Sequence, residues 1–317
     1  MGSPNQYHKE KPGNPSTATS SKQKLNDRSN GVPLRVLTED DWSFWIENGY
    51  VIVKNAVSRD QAKQTADFLW GFEEKDPNDP STWYTRERAE MQMKELAGTG
   101  MVEVYNNQHL WNNRQSQRIY DAFVDIWGTE KLWVTIDRAN LNFPIQPGFE
   151  YKGFIHWDYD PETKPQNVQG VVALADQLDE EMGGFQCVPY LYRNYDTWKL
   201  TQPEDRDRFK PDVSELEHEI VKVTLEAGDL LIFNSTLAHG IRPNNSTDKV
   251  RIAQYISMMP AEEDKEEMRN WRINSWRNRI APDGYAFPGD PRKFEQTRYE
   301  TAELTDLGEK LLGLRKW

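Results

Sequence analysis

Ile155-His156-Trp157-Asp158-Tyr159, read with the isolated His239-Gly240 pair 239 − 156 = 83 residues further on, is the stretch that decides the fold. In a β-strand successive side chains alternate faces, so His156 and Asp158 point the same way and Trp157 points the other way or caps the rim. Two imidazoles and one carboxylate closing on one face of a cation are a donor set suited to non-haem iron(II) with open positions for a co-substrate and O2. The spacing predicts two ligands on one strand and a third brought back by several intervening strands.

The chain around His239 fits that return. Residues 221–225 alternate apolar and polar side chains, Glu226-Ala227-Gly228-Asp229 reads as a turn, and Leu230-Leu231-Ile232-Phe233 reads as a buried strand. Gly240 beside the histidine lets backbone approach closely where a side chain would obstruct it. An iron site that chelates a 2-oxo acid leaves the distal carboxylate in need of a buried, planar, bidentate cation, which arginine supplies better than lysine. Arg251 opens the β-favouring run Arg251-Ile252-Ala253-Gln254-Tyr255-Ile256-Ser257 and is preferred to Arg242, whose stretch Arg242-Pro243-Asn244-Asn245-Ser246 reads as a loop.

The run from Tyr151 to Met258 resembles the phytanoyl-CoA dioxygenase-like family of iron(II)/2-oxoglutarate-dependent oxygenases. The matching pieces, in the family's order, are His156-Trp157-Asp158, Gly183-Gly184-Phe185-Gln186-Cys187-Val188-Pro189, Ala227-Gly228-Asp229-Leu230-Leu231-Ile232-Phe233, His239-Gly240 and Arg251. Upstream, Trp45-Ile46-Glu47-Asn48-Gly49-Tyr50-Val51-Ile52-Val53-Lys54-Asn55 resembles the family's opening helix and first strand. The resemblance implies a mainly β fold with flanking helices, built on a double-stranded β-helix (a jelly roll, cupin-like) whose open end holds the metal. It implies Fe(2+), 2-oxoglutarate and O2 as cofactors, His156, Asp158 and His239 as metal ligands, and Arg251 on the far carboxylate. Asn140 and Asn142, at period two on the preceding strand, are implied co-substrate contacts; satisfying backbone groups at a strand end is the alternative. No catalytic residue is expected beyond the metal ligands.

Two departures stand out. Relatives often follow the Gly-Gly segment with Pro-Gly-Ser-His, whereas Val188-Pro189 is followed here by Tyr190-Leu191-Tyr192, and Ala253 replaces a serine that some oxygenases place two residues after the arginine. Asp158 is retained, which argues against halogenation.

Hydroxylation of an unactivated C–H bond of a small molecule, with release of succinate and CO2, is the implied reaction. Desaturation, cyclisation or epimerisation of a natural-product intermediate would use the same cofactors. A cupin-like metalloenzyme that does not use 2-oxoglutarate is the rival from another class, and it would not need Arg251. A barrel kept only for binding would be expected to have lost a ligand. Trp157, Tyr159 and His109 are candidate substrate contacts; for Trp157 the competing reading is core, and for His109 a hydrogen-bonded structural histidine.

Composition narrows the class. A chain of 317 residues can bury a substantial core, and its single cysteine, Cys187, cannot form an intramolecular disulfide. The net charge of −12 argues against a nucleic-acid partner. The lack of an apolar leader or spanning run leads to the expectation of a cytoplasmic enzyme without membrane contact. Nothing bears on oligomeric state.

Residues 1–32 are polar and read as a flexible tail, and 33–317 as a single oxygenase domain with its jelly-roll core at about 130–260. Thr38-Glu39-Asp40-Asp41 reads as a helix start, Ser58-Arg59-Asp60-Gln61 as a second, 73–82 as an exposed loop and 91–96 as the beginning of another helix. Residues 132–143 read as one long strand. A final helix is expected near 303–314, and Arg272, Arg277, Arg279, Arg292 and Lys293, interleaved with Trp271 and Trp276, read as a solvated helical face, with a substrate-facing lid as the other option.

Overall fold

Thr38 caps the first helix, α1 (Glu39–Asn48), by a reciprocal pair: its hydroxyl accepts from the Asp41 N–H at 3.0 Å and the Asp41 carboxylate accepts from its own N–H at 2.9 Å. The helix ends at Gly49, in the left-handed region at φ 74°, where a Cβ would also lie 2.7 Å from the Tyr192 ring. Ser58 caps α2 (Arg59–Phe72), which buries Ala62, Ala66, Leu69 and Trp70 as its periodicity requires. The computed structural model describes residues 23–84, 100–164, 166–282 and 287–317; the helix expected at 91–96 lies outside them.

Helices α1, α2, α3 (Gln108–Arg114) and α4 (Gln117–Trp127) flank one face of a six-stranded sheet. The strands are β1 (Tyr50–Val53), β2 (Met101–Val102), β4 (Ala139–Asn142), β5 (Val168–Ala173), β8 (Leu230–Asn234) and β10 (Arg251–Tyr255), in the order β1-β8-β5-β10-β4-β2. Every pairing in this sheet is antiparallel. A three-stranded sheet, β7 (Val221–Lys222), β6 (Met182–Cys187) and β9 (His239–Asn244), ordered β7-β6-β9, faces its other side. Val171, Ala173, Phe185, Leu231, Phe233 and Ala253 fill the space between the two. These facing antiparallel sheets are the expected jelly roll.

The run 132–143 is not one strand. It divides into β3 (Leu132–Val134), paired with β11 (Met258–Pro260) in a sheet of its own, and β4. Residues 242–244, expected in a loop, belong to β9, where Pro243 is tolerated because β9 is an edge strand and no ladder partner needs its missing N–H. Beyond Val188 the chain enters α5 (Pro189–Trp198) with Pro189 in its first turn.

At the ends of the chain, the residues from 23 to 32 run along the body instead of forming tail: the Leu25 N–H donates to Gln166, Trp45 donates to Asn26 and Asn30 donates to the Gly128 carbonyl. The C-terminal wrap consists of α6 (Glu266–Asn278), α7 (Phe294–Arg298) and α8 (Asp306–Leu312). Of the residues expected on a solvated face, Arg277 and Lys293 are exposed but Arg272 and Arg292 are not. Arg272 is fully buried, and Arg292, itself nearly buried, pairs with Glu73 and Asp290. No helix among the described residues is long and apolar enough to cross a membrane.

Candidate metal centre

His239 opens β9 and lies opposite Cys187 of β6. Its backbone exchanges two hydrogen bonds with His156, at 2.7 and 2.9 Å, forming an isolated antiparallel bridge. The two imidazoles are thereby fixed side by side, with ring centroids 4.9 Å apart. Gly240 makes this approach possible, since a Cβ there would lie 1.7 Å from the Phe154 carbonyl oxygen. The expected strand through His156 and Asp158 is absent, and only His156 is in a ladder while Asp158 sits in a bend.

The side chains nevertheless converge. His156 Nε2 is 3.2 Å from one Asp158 oxygen and His239 Nε2 is 3.4 Å from the other, and one ligand atom from each residue lies within 4.8 Å of the rest. His239 Nδ1 lies 2.9 Å from the Leu237 carbonyl, which can accept only from a protonated Nδ1 and so leaves Nε2 free on the site side. Asp158 keeps 36 % of its side chain exposed, although protein surrounds it closely enough that burial by itself would raise its pKa. The adjacent His156 and His239 imidazoles override that effect and hold the carboxyl well below the usual carboxylate range. Phe154 stacks on the His156 ring at 4.8 Å, and Phe233 and Phe185 pack on His239 at 4.5 and 5.7 Å. The donor set, two imidazoles and one carboxylate, fits iron(II).

Arg251 lies on β10 opposite Asn142 of β4. It shares a face with Ala253, which packs in the core between the sheets, so its guanidinium enters the barrel. The side chain is 1 % exposed; Nε donates to Gln177 and Nη1 to Asn140, both at 3.2 Å, and no acidic partner is found among the described residues. Asn140 therefore holds the arginine. Asn142 Oδ1 is buried without a partner. Arg242 is also buried, but its donors go to the Gly183, Phe185 and Val223 carbonyls; burial, with Arg251 nearby, lowers its pKa.

Two expected substrate contacts are not brought to the metal side. Trp157 is buried against Tyr195 and Trp198 and donates to the Thr236 carbonyl, because alternation turns it away from the imidazoles. His109 is on α3, stacked on Phe68 at 5.2 Å. The neighbouring Leu110 carbonyl accepts from Gln254, whose side chain leaves β10 on the face opposite Arg251, so the six-stranded sheet stands between His109 and the site. Tyr159 stays beside Asp158 with its hydroxyl accepting from Asn167 at 3.0 Å. Phe154 and Gln169, whose amide donates to Asp158, escaped the sequence reading. A polar residue at an inward position of the apolar strand β5 was the available signal for Gln169.

With this geometry in place, the sequence matches the phytanoyl-CoA dioxygenase family over residues 45–253. The chain belongs to that family. Ava biosynthesis cluster protein O of Aspergillus versicolor is 27 % identical over 246 residues, covering 69 % of this chain and 77 % of that protein. Among solved structures, the GlcNAc-inducible gene product GIG2 of Candida albicans superimposes with a TM-score of 0.64 at 13 % identity, over 89 % of this chain and 77 % of that one. The hypothetical protein JW0805 of Escherichia coli superimposes at 0.63 with 18 % identity, over 90 % and 86 %. At those identities the two structures speak for the fold alone. As a member of the phytanoyl-CoA dioxygenase family this is an oxygenase-type enzyme with iron(II) and 2-oxoglutarate as cofactors, and its His-Asp-His group suits that metal.

Proposed function

We propose that the protein hydroxylates a C–H bond of a small molecule, with His156, Asp158 and His239 holding iron(II) and Arg251 pairing the distal carboxylate of 2-oxoglutarate. The observation that carries this reading is the buried guanidinium of Arg251, aimed into the barrel with no acid against it among the described residues. A desolvated cation of that kind calls for an anion, and a 2-oxo dicarboxylate chelating the neighbouring metal supplies one. A cupin-like centre without a 2-oxo acid leaves Arg251 unexplained.

The cofactor pair, when bound, supplies the oxidising chemistry, converting 2-oxoglutarate and O2 to succinate and CO2 as the substrate is oxidised. The chain's own residues do the rest. His239 presents Nε2 because its Nδ1 is directed at the Leu237 carbonyl, and Asp158 stays anionic beside the imidazoles. Asn140 and Gln177 orient Arg251, and Asn142 lies opposite it in register. Phe185 and Phe233 bury the His239 ring, and Phe154 stacks on the His156 ring, so the aromatic rings hold both imidazoles in orientation.

Anaerobic titration with iron(II) and 2-oxoglutarate tests this. Wild type is expected to develop the weak visible metal-to-ligand absorption, and His239→Ala to lack it. Iron binding by wild type without that band would remove the 2-oxo acid and leave the cupin-like reading.

A further inference from the structure

We infer that Gln169 is a positioning residue for the metal, acting through Asp158; the inference rests on the metal site proposed above. Of the three ligands, Asp158 is the one its own backbone does not secure. His156 and His239 lock each other through two main-chain hydrogen bonds, whereas Asp158 occupies a bend beyond the ladder. A carboxylate on a short, freely rotating side chain must then be held by something else, because ligand geometry is set by the groups that hydrogen-bond the ligand as much as by the ligand itself.

The first strand of chain after the bend provides the hold. Gln169 lies on β5, a central strand of the six-stranded sheet, opposite Phe233 of β8. It shares the inward face with Val171 and Ala173, which pack between the sheets, and its Nε2 donates to Asp158 Oδ2. Two residues earlier, Asn167 donates to the hydroxyl of Tyr159 at 3.0 Å, so the same end of β5 grips both residues of the bend. Asn167 is in turn fixed from β8, its carbonyl accepting from the Ser235 N–H at 3.1 Å and the Ser235 hydroxyl at 2.9 Å. A loop ligand thereby takes its placement from the sheet. The choice of an amide is chemically apt: it stabilises the anionic oxygen by donation, yet brings no charge that would oppose a divalent ion or repel the carboxylate.

Gln169→Met keeps the length and removes the donor. Iron(II) affinity, measured by anaerobic titration of the full chain, is expected to weaken by about 10- to 100-fold. The apo-protein's Tm should stay unchanged, and the visible 2-oxoglutarate band should return at saturating iron. Gln186→Met is the control, since that amide lies near the same mouth but donates to the Phe154 carbonyl at 3.3 Å and does not touch Asp158; its iron affinity should match wild type. If the Met variant loses apo stability, Gln169→Asn withdraws the same amide by one methylene and repeats the test. Unchanged iron affinity in a folded Gln169 variant, with wild type binding normally, overturns this inference and leaves the metal site standing. Failure of wild type itself to bind iron overturns both.

Discussion

Arg251 and Arg272 are both buried guanidiniums, 1 % and 0 % exposed, and neither has an acidic partner among the described residues, yet they are satisfied in different ways. In the C-terminal wrap, Arg272 donates to three main-chain carbonyls, those of Leu312, Val134 and Leu311 at 2.9, 2.5 and 2.9 Å, while its plane lies over the Trp133 ring. Its burial and the nearby charge of Arg114 lower its pKa to about 9. In the barrel, Arg251 makes two longer contacts, both at 3.2 Å and both to side-chain amide oxygens. A cation spent on backbone carbonyls acts as a rivet between segments. One held inside the barrel by adjustable side-chain amides, with no acid against it among the described residues, is poised for an anion.

The sharpest way to break that contrast is to remove each arginine and compare what is lost. Arg251→Met should raise the KM for 2-oxoglutarate at least about 30-fold, as follows from the roughly 2–5 kcal/mol that truncating one partner of a buried charge pair costs. Its Tm without cofactor should hold. Steady-state titration of 2-oxoglutarate, followed by succinate release, checks the first and calorimetry the second. A large fall in Tm with an unaltered KM would place Arg251 in the same class as Arg272.

Arg272→Met should do the reverse. It strands carbonyls of β3 and α8, each orphaned buried acceptor costing about 1–3 kcal/mol, with part of that offset by removal of a desolvated cation. A net loss of about 2–3 kcal/mol and a Tm lower by several degrees are expected, with the KM for 2-oxoglutarate unchanged in the folded fraction. Urea unfolding monitored by tryptophan fluorescence measures it.

Which of these arginines was legible in the sequence follows from what each depends on. Arg251 was visible because it opens an apolar, β-favouring run in the right order behind His156-Trp157-Asp158 and His239-Gly240, and alternation within a strand is a local property. Helix starts at Thr38 and Ser58 were visible for the same reason, since a cap is a matter of three or four neighbouring residues. Arg272 and Arg292 were misread as a solvated face because one decisive partner of each, Val134 and Glu73, lies more than a hundred residues away. Arg242 was hidden by Pro243 and its asparagine neighbours, which look like loop until the edge position of β9 makes a missing N–H harmless. His109 looked suited to a pocket by composition, and only the pairing of the sheet places it on the far side. Spacing singled out Asp158, and the structure brings it to both imidazoles although its strand does not exist, because a single bridged residue at His156 suffices to set the direction of the next two side chains.

A buried acid in the wrap gives the smallest effect and the finest test of the contrast. Glu295 of α7 is 1 % exposed, and its carboxylate accepts the N–H of Tyr105 at 2.9 Å and that of Asn106, tying the wrap to the segment that leads into α3. Burial raises its pKa from 4.5 to about 7, against the opposing pull of those two N–H groups and of Arg114 and Arg279. The folded state therefore binds more protons than the unfolded one between about pH 4.5 and 7. The stabilising contribution of the neutral acid is complete below that window, falls as pH rises through it and is gone above it. Glu295→Gln keeps an acceptor for the two N–H groups but cannot ionise, so the Tm of the variant relative to wild type should climb from pH 5 to pH 8 by a few degrees. The KM for 2-oxoglutarate should not move with it, because Glu295, like Arg272, joins segments of the fold and does not face the anion. A Tm difference that is flat across that range would mean that the carboxylate is already solvated or charge-compensated in the folded protein, and that burial in the wrap imposes less on ionisable groups than the lowered pKa of Arg272 indicates.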